Sequence, residues 1–213
     1  MILKVVPLVI SIVLASSVGA CGGDDVVASG SRGRTALELA DDSPHSVASV
    51  APFHFISCEG QPITEADLQG KVWIVDFFFT TCSGPCPLIT SQMRLLQDEL
   101  VGSNVQLVSI TVDPTTDTPA ALHDYAERVG ADLKRWWFLN GDEAATFELI
   151  RNSFALMVER QSEAMLGFQV SHATKLVVVD GVGRVRGYYA GETPEGRAMA
   201  RTRALWLSKH AGS

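Results

Sequence analysis

The sequence predicts an α/β domain, a mixed central sheet flanked by helices. Three observations carry this reading. Val72–Phe79 is a nearly unbroken apolar run, the pattern of a parallel strand buried on both faces. Strand and helix patterns then alternate along the chain, as they do where crossover helices link parallel strands. Near the end, Lys175–Asp180 and Arg184–Tyr189 are joined by Gly181-Val182-Gly183, a link short enough to make them an antiparallel hairpin.

The elements follow in order. Pro52–Ile56 reads as a short strand in which His54 alternates with Phe53 and Phe55 and so faces away from them. Glu59–Pro62 turns the chain, and Thr64–Leu68 has the composition of a capped helical turn. After the apolar run, Pro87 suits the first position of a helix, and Leu88, Ile89, Gln92, Met93, Leu96 and Leu100 recur with helical spacing. Val105–Val112 is a second strand, broken by Asp113-Pro114. Thr118 is an N-cap with Pro119 behind it, opening a helix to about Val129. Trp136–Leu139 is a short strand, and Asp142–Phe154 is a helix. From Ala155 to Ser171 the pattern weakens, and an irregular excursion is expected. Pro194–Lys209 closes the chain as a helix.

With 213 residues, 46% of them hydrophobic, the chain suits one domain plus appendages. The formal net charge of −7, with no basic cluster, argues against a nucleic-acid partner. Four cysteines are too few to staple a chain of this length. Residues 1–20 read as a signal peptide, with Lys4 as the positive region and Val5–Ala15 as an apolar stretch too short to span a bilayer. Val18-Gly19-Ala20-Cys21 resembles the lipobox of bacterial lipoproteins, which implies lipid attachment at Cys21 and a domain held at the periplasmic face of a membrane. Residues 21–49 are rich in Gly, Asp, Ser and Ala and read as a flexible tether with a reach of roughly 30 Å. Residues 50–213 are the folded domain.

Chemistry concentrates after the apolar strand, in Cys82-Ser83-Gly84-Pro85-Cys86. A strand-to-helix switch leaves backbone N–H groups unpaired, and they and the helix dipole favour thiolate. Two chemistries are open to such a dithiol: thiol–disulfide exchange, and capture of a soft metal by two thiolates and a third ligand. Asp76 interrupts the strand six residues before Cys82, where a desolvated carboxyl protonates readily and can exchange protons with the dithiol; hydrogen bonding to neighbouring backbone is the equal alternative. His172 stands just before a core strand, and at the expected sheet edge it would complete a two-sulfur, one-nitrogen site suited to copper(I), or to copper(II) with an added oxygen. Cys58, in a turn, is a buried small hydrophobe or a stray thiol. Met157 and Met165 precede His172; ordinary packing is expected for them ahead of transient copper contact.

A dithiol at the end of the first buried strand suggests a thioredoxin-like fold. Four motifs sharpen this into a resemblance to the Sco/SenC family of copper chaperones: Phe79–Pro87 with its C-x3-C-P, Ser109–Pro119, Ser171-His172-Ala173, and Val179–Tyr189. The resemblance covers roughly residues 51–209. It implies one copper ion, Cu(I) or Cu(II), per chain, held by Cys82, Cys86 and His172, with a redox disulfide between the cysteines. It also implies a role in assembling the CuA centre of cytochrome c oxidase. The partners would be the copper-receiving oxidase subunit, an upstream copper donor or thiol reductant, and the membrane through the lipid anchor. Asp113 and Asp117 match acidic positions of the family and are expected, with Asp76, to support the ligands or order their loop; for Asp117 the alternative is that it helps to cap the helix that Thr118 opens. Ser83 departs from the proline common after the first cysteine. Copper delivery and reduction of the target's cysteines both remain open.

Rival readings are a thiol–disulfide reductase of exported proteins, a peroxiredoxin, and a redox or copper sensor. Reductases of this fold usually have C-x2-C and a proline before the later core strand, whereas no proline occurs here between Pro119 and Pro194. The peroxiredoxin pattern fails because Val75 and Phe79 stand where it has proline and threonine.

Overall fold

The computed structural model describes residues 49–161 and 170–210. The expected signal peptide, Cys21, nearly all of the tether and Met165 lie outside them. In chain order the elements are β1 (His54–Ser57), β2 (Pro62–Thr64), a 3-10 turn (Glu65–Leu68), β3 (Val72–Phe78), α1 (Cys86–Glu99), β4 (Val105–Thr111) and α2 (Pro119–Val129). These are followed by β5 (Trp136–Asn140), α3 (Glu143–Asn152), β6 (Val158–Arg160), β7 (Val170–His172), β8 (Lys175–Val179), β9 (Val185–Ala190) and α4 (Pro194–His210).

Seven strands form one sheet in the order β2-β1-β5-β4-β3-β8-β9, and β6 and β7 form a separate two-stranded ribbon. β3, β4 and β5 run parallel, while β8 adds antiparallel to β3 and β9 to β8. The expected mixed α/β sheet is therefore present, and β3 and β4 are its centre. Every residue of both strands is buried, which is why β3 reads as an apolar run broken only by Asp76, and β4 as a strand whose apolar residues fall on both faces despite Gln106, Ser109 and Thr111.

Side-chain alternation along β3 assigns the two faces. Trp73 and Phe77 meet Phe154, just after α3, edge to face at 6.1 and 5.1 Å between ring centroids. Phe78 points the other way, against Tyr125 of α2. α1 packs against both α2 and α4 on that second face. Buried side chains of this size stabilise the fold by roughly 1.5–3 kcal/mol each.

Local signals set the boundaries. Thr118 caps α2 by accepting from the Ala121 N–H at 3.3 Å, and Asp142 caps α3 by accepting from the Ala145 N–H at 2.9 Å. The β8–β9 turn is closed by Asp180, which accepts from the Val182 and Arg184 N–H groups, and Gly183 takes the left-handed φ of 81° that the turn requires. Gly196 lets α4 lie on β9: a Cβ there would come within 2.0 Å of the Ala190 carbonyl oxygen. Ser49 bridges Arg184, so among the described residues main-chain pairing includes the last residue of the expected tether.

Four details differ from the sequence reading. Pro62–Thr64 is a strand, not a continuation of the turn. α1 begins at Cys86, with Pro87 second; a missing N–H costs nothing there, because the first turn has no internal acceptors. The Ala155–Ser171 stretch contains β6 and most of β7. Met157 is 82% exposed, so it is not a packing residue.

Candidate metal centre

The cysteine loop is pinned before it reaches its first thiol. At the end of β3, the Thr80 backbone N–H donates to Asp117 at 3.0 Å, and the Thr80 hydroxyl donates to the same carboxylate. The Thr111 hydroxyl, at the end of β4, donates to it at 2.5 Å. Asp117 is fully buried, and burial pushes its carboxyl upward against these three donors. It fastens the cysteine loop to β4 and does not cap α2, a task that belongs to Thr118.

Past that anchor the loop gives the two cysteines different settings. Cys82 is half-buried in the loop, while Cys86 is 1% exposed at the first position of α1. Both are free thiols. A hydrogen bond from the Cys86 thiol, supported by His172, brings Cys82 down to about 4 in spite of partial burial. Cys86 moves upward in turn, because its proton is held by Cys82 and it is desolvated. The reduced pair thus shares one proton, with thiolate character on the accessible sulfur.

His172 arrives from the other side of the site, at the end of β7. Its Nε2 lies 3.4 Å from Cys86 Sγ, and its Nδ1 lies 3.3 Å from the Ala173 carbonyl oxygen. The Phe79 ring stands edge-on to the imidazole at 5.9 Å. The metal-binding form of this imidazole carries its proton on Nδ1, donated to that carbonyl, so that Nε2 offers a lone pair in place of the N–H that supports the Cys82 thiolate in the metal-free pair. A cleft of about 390 Å³ opens beside this pair, lined among others by Phe79, Cys82, Pro85, Ser171 and His172.

Beneath the thiols, Asp76 is 1% exposed, and burial pushes its carboxyl up to about 7. The Ser109 hydroxyl donates to Asp76 at 2.5 Å, and the Trp136 indole N–H donates to Ser109 Oγ at 2.8 Å. Asp113 is buried after β4 and receives Arg160 of β6 at 2.9 Å. The fold therefore brings Cys82, Cys86, His172 and Asp76 to one end of β3, with Asp113 and Asp117 on the adjoining loop. Cys58 is buried away from them, a small core residue whose thiol burial pushes up, and His54 is exposed.

Sequence reasoning missed Ser109, Thr80 and Arg160. The signal for Ser109 was present: it interrupts the apolar β4 as Asp76 interrupts β3, and parallel pairing sets the two side by side.

Two sulfurs and one imidazole nitrogen fit a soft, low-coordinate ion and suit a hard, oxygen-seeking one poorly. Among the described residues, a tighter group is His123, Asp124 and Glu127, whose ligand atoms all lie within 4.8 Å of one another. It sits on the surface of α2, and His123 and Glu127 are an ordinary i,i+4 pair. The dithiol set is the more open of the two.

This fold and this site define a thioredoxin-like protein whose dithiol is paired with a histidine from a separate ribbon. The chain belongs to the SCO1/SenC family, whose model matches residues 41–207. The SCO1 protein homolog of Bacillus subtilis (strain 168) is 32% identical over 145 residues, covering 67% of this chain and 74% of that protein. The crystal structure of a SCO1/SenC family lipoprotein from Bacillus anthracis str. Ames aligns with a TM-score of 0.68 at 30% identity, covering 76% of this chain and 96% of that one. BsSco, described as a member of the Sco family of cytochrome c oxidase assembly proteins with a disulfide switch, aligns with a TM-score of 0.65 at 30% identity over 76% of this chain and 95% of its own.

Proposed function

We propose that this chain is a copper chaperone in which Cys82, Cys86 and His172 hold one copper ion as cargo, with delivery to, or preparation of, the CuA site of cytochrome c oxidase as its task. The observation that carries the reading is the 3.4 Å approach of His172 Nε2 to Cys86 Sγ, made by a residue 86 positions away in sequence. Disulfide exchange by itself has no need of a metal-directed imidazole on a separate ribbon. Copper takes the place of the proton shared by the two sulfurs, and Asp76, poised near neutrality, is a buried group able to accept it. Family membership supports the oxidase as the destination, as does the likeness to BsSco, a member of a family of cytochrome c oxidase assembly proteins.

Cys21 is read as the lipid anchor that holds the domain at the periplasmic face of a membrane, within reach of an oxidase subunit. The lipobox supports this, as does the likeness to the Bacillus anthracis lipoprotein.

Anaerobic titration with copper(I) against a chromogenic chelator tests the ligand set. Wild type should take up one ion per chain, Cys82→Ser and Cys86→Ser should lose tight binding, and His172→Ala should bind more weakly. Stoichiometric uptake by the Cys82→Ser/Cys86→Ser double variant would remove the assignment.

A second reading, a thiol–disulfide reductase of exported proteins, is favoured by the accessible Cys82 thiolate above a buried carboxyl. It predicts catalysis of disulfide reduction that survives His172→Ala.

A further inference from the structure

Among the described residues, the β6–β7 ribbon that presents His172 forms its own sheet, apart from the seven-stranded one. Short links to α3 and to β8 hold the ribbon's two ends, and its lie between them is set by what its body-facing side touches. In register, Val158 is opposite His172 and Arg160 is opposite Val170. Side chains two apart on a strand share a face, so Val158, Arg160, Val170 and His172 form one side of the ribbon. The two valines are buried, each at 4% exposure, and apolar contact of that kind holds a ribbon down without fixing where along the surface it sits. Arg151 of α3 adds one bond, donating to the Val158 carbonyl at 2.9 Å.

Arg160 adds direction. Its Nη2 donates to Asp113 at 2.9 Å and to Glu143 at 2.5 Å, and its Nε donates to Glu143 at 2.9 Å. The Glu143 contact is a planar two-point fork, which fixes orientation as well as distance. Asp113 is the firm end of the clamp, since its side chain is 4% exposed. The Asp117 N–H donates to the Asp113 carbonyl at 2.9 Å, and the Asn140 side chain donates to the carbonyls of Pro114 and Asp117. The other end of this short loop is Asp117, which holds Thr80 and hence the start of the cysteine loop. One braced loop is therefore fastened to the thiols at Asp117 and to the histidine ribbon at Asp113.

We propose that Arg160 is a positioning residue for His172: its ion pairs with Asp113 and Glu143 set the ribbon's placement, and with it the distance between the imidazole and the two thiols. The inference rests on the reading of His172 as a copper ligand. Arg160 itself touches neither the ion nor the sulfurs.

The test is a double-mutant cycle in the full chain with Arg160→Gln and His172→Ala, reading copper(I) affinity, the dithiol reduction potential and the urea midpoint. Arg160→Gln should weaken copper binding about tenfold, the scale typical of residues that orient a metal ligand. In the His172→Ala background the same change should cost less than about twofold, because nothing is left to position. Arg160→Lys keeps the charge but loses the fork, and should recover part of the loss. The dithiol potential should stay where it is in wild type. Equal losses in both backgrounds, or a shifted potential, would mean that Arg160 supports the fold generally, and the proposal would fall. No loss from Arg160→Gln beside a clear loss from His172→Ala would overturn it while leaving the ligand reading intact. No loss from His172→Ala would overturn both.

Discussion

Ser109 on β4 and Asp76 on β3 stand side by side in the parallel register, and the Ser109 hydroxyl donates to the Asp76 carboxylate at 2.5 Å in a fully enclosed site. One hydroxyl does not offset burial: the Asp76 carboxyl rises from its ordinary 3.8 to about 7. Between those values the folded chain keeps a proton that the unfolded chain has released. Unfolding then releases a proton, so this group's contribution makes stability fall as pH rises through the window and level off above about 7. The limit is about 1.4 kcal/mol per pH unit. Asp76→Asn keeps an acceptor for Ser109 and cannot ionise. Its advantage over wild type in urea unfolding should be small near pH 4.5 and reach a few kcal/mol at pH 8. The difference between the two proteins is the quantity to read, because the Cys82 thiolate tilts both curves the opposite way. A wild type that gains on the variant as pH rises would show Asp76 to be stabilised as the carboxylate.

Asp117 is expected to control the cysteine loop more than the rest of the fold. Asp117→Ala leaves the Thr80 N–H, the Thr80 hydroxyl and the Thr111 hydroxyl without their shared acceptor. Unmade buried bonds of this kind cost about 1–3 kcal/mol. The Thr80 amide should then exchange with solvent at least tenfold faster, with the β4 amides far less affected. Hydrogen exchange followed by NMR reads both. Uniform acceleration across β3 and β4 would mean that the whole sheet had been loosened.

Much of this architecture was legible because β3 and β4 are buried on both faces, so that β3 reads as a nearly unbroken apolar run and β4 carries apolar residues on both of its faces. The Thr118-Pro119 start of α2 was equally plain, since a cap is local chemistry. β2, β6 and β7 were not, because three residues are too few to display a period. The thiols could be picked out from spacing alone, and His172 from its place before a core strand. Arg160 could not: its role depends on a ribbon register and on Asp113 and Glu143, 47 and 17 positions away. The packing expected of Met157 failed for a related reason, because the end of a ribbon projects a side chain that the body does not cover.

The anchor proposed at the start of the chain has a direct chemical signature. Protein purified from native membranes should carry a diacyl or triacyl adduct on Cys21, visible by mass spectrometry of the N-terminal peptide. Cys21→Ser should release the domain into the soluble exported fraction. A free, unmodified N-terminus beyond residue 21 would reject the anchor and leave the copper reading standing.

Redox state should gate the site. Copper needs both sulfurs as thiolates, and a Cys82–Cys86 disulfide offers neither. A C-x3-C turn can bring the two Cα atoms within the roughly 4.4–6.8 Å that a disulfide requires, and an exported compartment is oxidising. The apo protein should therefore isolate largely as the disulfide and load copper only after a two-electron reductant has opened it. In the reduced apo protein, Cys82 should be alkylated well before Cys86, being the lower in pKa and the more accessible. Because Cys82 is brought down to about 4, its rate should change little between pH 6 and 8, where an ordinary thiol would gain sharply. Bound copper should protect both. On the proposed copper reading His172 contributes a ligand and no electron, so His172→Ala should weaken copper(I) binding by tenfold or more while moving the dithiol potential little. The decisive pair of measurements is the copper(I) dissociation constant and the reduction potential on wild type and His172→Ala. A strongly shifted potential with unchanged copper affinity would award the site to disulfide exchange.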